Sequence, residues 1–168
     1  MNNFTIRNTI LFIALVLLQV LILNNINLFG YLNPFIYIVF VFFYPLRKEK
    51  TSFLFLSFLL GLSIDFFSNS GGINAAATLF IAYFRLPILI YVLRKSDFDY
   101  QLFNVRSMSL GKSITYIFIL TFIHSLIIYS LEYFSLNDFF EIIKKSILST
   151  VFTVTLLYII IILFTKKR

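Results

Sequence analysis

A chain of 168 residues that is 60% hydrophobic and only 12% charged, with a mean hydropathy of +0.95, holds more apolar surface than a soluble domain of this size can bury. The absence of cysteine excludes disulfides, thiolate metal sites and cysteine nucleophiles. The net charge of +7 comes from basic residues grouped at the ends of apolar runs, which is a topology signal rather than a phosphate-binding stripe, so nucleic acid is not an expected partner.

Several stretches approach the roughly 20 apolar residues that cross a bilayer as a helix, and none alternates with the period of two that marks a membrane barrel. The expected fold is therefore all-α, a polytopic membrane protein forming one integral domain over 1–168 with six transmembrane helices. The first, 9–28, follows Arg7, carries Gln19 near its middle and lacks a small-residue cleavage site, so it reads as a retained helix. The second, 34–46, is short and bracketed by Pro34 and Pro45, with Asn33 placed to cap it and Pro34 in its first turn. The third and fourth, 52–67 and 73–92, form a hairpin around Gly71-Gly72. The fifth is 113–133 and the sixth 142–164. Between the last two, "EYFSLNDFFEIIKKS" mixes Glu132, Asp138 and Glu141 with Phe139, Phe140, Ile142 and Ile143, and reads equally as a short interfacial helix leading into the sixth span or as an ordinary loop and helix start.

Arg7, the Arg47-Lys48-Lys50 group, the loop with Arg94, Lys95, Arg106 and Lys112, and the Lys166-Lys167-Arg168 tail alternate with connections poor in Lys and Arg. The positive-inside rule then places both termini in the cytoplasm, as an even number of spans requires.

Ionisable residues at membrane depth are expensive and normally face the protein interior, so each calls for a reason. Asp65 lies about 21 Å along a helix that starts at Thr51, and it shares a face with Ser57, Gly61 and Ser68. Asn74, Ala77, Thr78, Ala82 and Arg85 form a matching stripe on the next helix. Arg85 falls roughly 20 Å from the hairpin turn and Asp65 within about 10 Å of it, so the two do not pair. Arg85 is expected to snorkel toward the cytoplasmic face, helped by a break at Pro87. Asp65 is expected to cap the fourth helix through Asn74 and the first amides. The less favoured alternative for Asp65 is a ligand or proton site. His124, alone in the middle of the fifth helix, suits a buried hydrogen bond better than a metal or a proton relay. Ser146, Ser149, Thr150 and Thr153 make a hydroxyl stripe suited to packing. No nucleophile–base set, P-loop, dinucleotide fingerprint or zinc motif is present, so neither an enzyme nor a cofactor is expected.

The stretch "GLSIDFFSNSGGINAAATLFIAY" resembles the rod shape-determining protein MreD family in its glycine and acid ending one helix, its glycine turn and the alanine-rich helix that follows. Gly61, Asp65, Gly72 and Asn74 stand at the motif positions, while Ser70-Gly71-Gly72 replaces the Pro-Leu-Gly type of turn that many members carry. Length, spans and basic tail extend the resemblance over nearly the whole chain. It implies a non-enzymatic subunit of the bacterial cell-elongation complex in the cytoplasmic membrane. The implied partners are an MreC-like protein, MreB, RodA with its transpeptidase, and membrane lipid. The family also resembles the substrate-binding subunits of energy-coupling vitamin transporters, which makes a small-molecule transport component the alternative. A membrane scaffold of another complex is a third.

Overall fold

The computed structural model describes residues 3–26, 33–46, 51–94, 108–134 and 136–164. Helix α1 covers Asn3–Leu21, α2 Val39–Phe43, α3 Thr51–Ser68, α4 Ile73–Leu93, α5 Leu110–Tyr133 and α6 Phe139–Phe164. Among the described residues, 5 helices are long and apolar enough to cross a membrane, α2 being the exception. The chain is an all-α multi-pass membrane protein. Helix α4 packs between α3 and α5, α6 lies against α5, and α1 against α3. Their outward faces carry large apolar residues such as Ile10, Phe55, Phe66, Tyr91 and Val151, as a lipid-facing surface must.

The second run departs from expectation. In place of a helix over 34–46, residues 33–35 are non-helical, Ile36–Ile38 is a 3₁₀ turn and α2 ends at Phe43. That helical stretch is roughly 13 Å long, less than half the hydrocarbon thickness. Irregular backbone is tolerated at membrane depth only inside protein, where other groups can satisfy it. Here Tyr37, Ile38, Phe40, Val41 and Phe42 are at most 1% exposed, and they form the centre of the core. Asn33 does not cap the segment. The amide of Phe35 donates to Thr153 Oγ1 on α6 (3.1 Å), and that of Ile36 to Gln19 Oε1 on α1 (3.0 Å).

Other boundaries shift for local reasons. Helix α1 begins and ends earlier than 9–28: it stops at Leu21, where the Asn25 amide donates to the carbonyls of Val20 and Leu21, and a 3₁₀ turn follows over Leu23–Asn25. Among the described residues no separate interfacial helix precedes α6, and the loop-and-helix-start reading is the one that fits. A 3₁₀ turn at Leu136–Asp138 runs straight into it, and the acid in its first turn, Glu141, suits the positive end of the helix dipole. The Arg47-Lys48-Lys50 group, residues 95–107 and the basic tail lie outside the described residues.

The α3–α4 hairpin turns through Asn69, Gly71 and Gly72, all at positive φ (52°, 65° and 95°). Glycine adopts those angles without the Cβ penalty. Gly61 serves a different purpose. A Cβ there would sit 2.5 Å from the Asn74 carbonyl oxygen and 2.6 Å from Ala75 Cα, so the two helix backbones touch at this point. Gly61→Ala should therefore separate the hairpin and cost about 1–3 kcal/mol, as other overpacked sites do. Gly111→Ala, where nothing lies within 4 Å, should leave stability unchanged or slightly raised. Thermal unfolding of the two variants in detergent, side by side, checks the contrast.

Candidate functional site

Helix α4 begins without a side chain of its own able to cap it, because Gly72 precedes it. Its first amides need acceptors from elsewhere. Asp65, in the last turn of α3 and 4% exposed, supplies them. Asp65 Oδ1 accepts from the amide of Asn74 (3.0 Å), from Asn74 Nδ2 (3.0 Å) and from Ser70 Oγ (2.5 Å). Its Oδ2 accepts from the amide of Ala75 (2.7 Å). Both oxygens are thus committed, and the carboxylate faces the positive end of a helix. The Asn74 side chain also donates to Ser70 Oγ (3.0 Å), which closes the arrangement.

From there the hydrogen bonds run inward. Tyr37 Oη donates to Asn74 Oδ1 (2.8 Å) and lies 2.9 Å from His124 Nε2. The tyrosine has one proton and Asn74 Oδ1 can only accept. The Asn74 orientation is itself fixed by its two donated bonds. Nε2 of His124 therefore carries a hydrogen and donates it to Tyr37 Oη, while Nδ1 has no hydrogen-bond partner among the described residues. The imidazole packs between the rings of Phe35 and Tyr37, at centroid distances of 5.3 and 5.4 Å. Gln19 belongs to the same end of the bundle. Its Nε2 donates to the Pro34 carbonyl and to Asn24 Oδ1, both at 2.9 Å, and Asn24 Nδ2 donates in turn to Ser68 Oγ at 2.7 Å.

Arg85 does not snorkel. It is 2% exposed, and its Nη2 donates to the carbonyls of Phe42 (3.2 Å) and Tyr44 (2.5 Å), the ones that α2 leaves open where it ends. The guanidinium lies over the Phe53 ring at 5.1 Å. Helix α4 continues through Pro87 to Leu93 without the expected break. Asp65 and Arg85 are held at opposite ends of the central segment and do not meet. On α6, the hydroxyls of Ser146 and Thr150 return to their own helix, Ser149 bonds Tyr129 Oη (2.6 Å), and Thr153 takes the Phe35 amide.

At the Asp65 end a cavity of 560 Å³ opens between α1, the α3–α4 turn and the end of α5. Asn24, Asn33, Ser70, Asn74, Tyr129 and Glu132 are among the residues around it. Its size falls in the range of small-molecule sites. No group of three His, Cys, Asp or Glu side chains that could hold a metal occurs among the described residues.

Sequence reasoning missed Tyr37 and Ser70 as members of the network. A tyrosine in the interior of an apolar, phenylalanine-rich run was the available signal, since a buried phenol needs a partner. No protein-family model matches the chain, and no curated protein or solved structure does either. The fold and the site define its class as a multi-pass helical membrane protein with a buried polar network, in which both Asp65 oxygens are engaged while Arg85 Nε and Nη1 and His124 Nδ1 find no hydrogen-bond partner among the described residues.

Because both carboxylate oxygens accept, Asp65→Asn must turn one amide group toward a backbone N–H. The expected loss is about 1–3 kcal/mol, larger than a simple exchange of acceptors would give. Asp65→Leu should lose more, leaving the amides of Asn74 and Ala75 without an acceptor. Urea or thermal unfolding should rank the three proteins Asp, Asn, Leu. Equal stability of wild type and Asp65→Asn would rule out the cap.

Proposed function

We propose that this chain is a non-enzymatic membrane subunit of a bacterial cell-elongation complex, supporting cell shape and side-wall peptidoglycan synthesis through protein–protein contacts. The observation that carries the proposal is the convergence of Gly61, Asp65, Gly72 and Asn74, the residues of the MreD-like motif, on one junction. Gly61 permits the contact with α4, Gly72 makes the turn, and Asp65 and Asn74 lock it. A motif of this kind maintains a shape and leaves no carboxylate oxygen over for chemistry. Gln19 and Arg85 are likewise engaged with backbone groups of the central segment. The polar residues at membrane depth thereby support a rigid body on which partners can assemble. In this proposal the partners are an MreC-like protein and, with it, MreB, RodA and its transpeptidase.

The distribution of basic residues supports placement in the bacterial cytoplasmic membrane with both termini inside. In this orientation the Asp65 end of the bundle faces outward. Since the chain has no cysteine, single cysteines report cleanly on sidedness. Those introduced at Asn25, Ser70 and Asn137 should react with an impermeant maleimide added to intact cells, and one at Ser109 should not. Reaction at Ser109 in intact cells would reverse the orientation.

Depletion in a rod-shaped host with a single copy should convert rods to rounded cells, and the tagged protein should co-purify an MreC-like protein. Unchanged rods after depletion, or co-purification of an ATPase pair with a retained vitamin, would replace this reading with the transport one.

A further inference from the structure

We propose that the 560 Å³ cavity at the Asp65 end is a binding site for a neutral polyhydroxylated ligand, a sugar carried on a lipid or free in solution. The argument begins with which lining groups are still available. Asn24 and Asn74 are consumed by the internal network, and so are both oxygens of Asp65 behind them. Asn33 Oδ1 is buried and has no hydrogen-bond partner among the described residues. Leaving such an acceptor unmade is costly, and because Asn33 lines the cavity, a rotation of its side-chain amide would bring the oxygen to a ligand donor there. Asn69 and Glu132 stand exposed at the rim and make no hydrogen bond with the described residues. The available set is therefore amides, which both donate and accept, and one carboxylate.

Charge narrows the ligand. No Lys or Arg occurs among the described lining residues, so a phosphate or carboxylate would meet Glu132 with nothing to offset it. A dedicated cation site would call for more than one solvent-exposed carboxylate, because a single one is screened. Sugar hydroxyls donate and accept in equal measure, as the amides do. The cavity wall also presents the rings of Phe35 and Tyr129, 6.2 Å apart and edge to face, and that of Phe67 at the rim. Such rings suit the C–H face of a sugar while the amides meet its hydroxyls. The Tyr129 hydroxyl is anchored on Ser149, which fixes that wall. The cavity opens at the end where α1, α3 and α5 finish, so a headgroup at the membrane border reaches it as readily as a solute.

The test uses the full-length protein in phosphatidylcholine nanodiscs containing equal small fractions of a monoglucosyl diacylglycerol, a phosphatidylglycerol and a cationic lipid, with retained lipid counted by native mass spectrometry. The glucosyl lipid should be enriched over both others. Asn33→Leu should reduce retention by about tenfold and Asn69→Gly, at the exposed rim, by about threefold, the range that the loss of one net hydrogen bond spans. Asn69→Gly guards against misfolding, because residue 69 is exposed and its φ of 52° is one that glycine adopts freely. Glu132→Gln should change retention by less than about threefold, since no ion pair is lost. A second arm adds free glucose: displacement assigns the site to the sugar alone, and persistence assigns it to the lipid-borne form. No enrichment of the glucosyl lipid, or preference for the cationic lipid that Glu132→Gln abolishes, would overturn the proposal. Cell shape and partner co-purification are not read by this assay, so its failure leaves the elongation role standing.

Discussion

A backbone that leaves helical geometry inside a membrane must find other partners for its N–H and C=O groups, and in this protein that requirement falls on residues 33–46. The segment is too short to cross as a regular helix, so its two ends expose amides and carbonyls within the bundle. Every neighbouring long helix except α5 contributes to closing them, directly or at one remove. Gln19 of α1 takes the Ile36 amide and returns a bond to the Pro34 carbonyl, Thr153 of α6 takes the Phe35 amide, and Arg85 of α4 meets the carbonyls of Phe42 and Tyr44 while stacking on Phe53 of α3. The five long helices are held around the segment because it has no stable alternative outside them.

The Asp65 junction and the central segment form one system. Asn74 belongs to both: it is part of the cap that joins α3 to α4 and the acceptor for Tyr37. Individual interhelical hydrogen bonds in membranes contribute only about 0.6 kcal/mol on average, too little for any one of them to define a structure. Their worth here comes from closure. Each of Ser70, Asp65, Asn74 and Tyr37 orients the next, so that breaking one bond leaves a neighbour misdirected as well as unpaired. His124 terminates the series on α5, which otherwise meets the central segment only through packing.

Much of this was legible in the chain. Runs of apolar residues located α3, α4, α5 and α6 to within about three residues, because lipid imposes a minimum length that composition reveals directly, while α1 was set about six residues too late in the chain. The hairpin was legible too, since Gly71-Gly72 and an acid six residues before it leave few local geometries. The second run was misjudged for a physical reason: hydropathy records whether a segment can be in the membrane and says nothing about whether it regular-coils there. Pro34 and Pro45 at its ends were the cue to a shorter helix. Arg85 was misjudged because snorkelling assumes the nearest polar medium is water, whereas the open carbonyls at the end of α2 are closer. The pairing of Phe35 with Thr153 had no local signal at all, as the two lie 118 residues apart.

That separation bears on how the protein is made. The ribosome delivers residues 33–46 long before α6 exists, and chains fold largely in the order of synthesis. Until the last helix emerges, the Phe35 amide has no side-chain acceptor and the aromatic centre has an open flank. The central segment is consequently closed only once α6 has been made and has packed against it. A fragment truncated before Thr153 would present an unsatisfied amide in an apolar setting, a feature by which membrane quality control could tell an unfinished copy from a finished one.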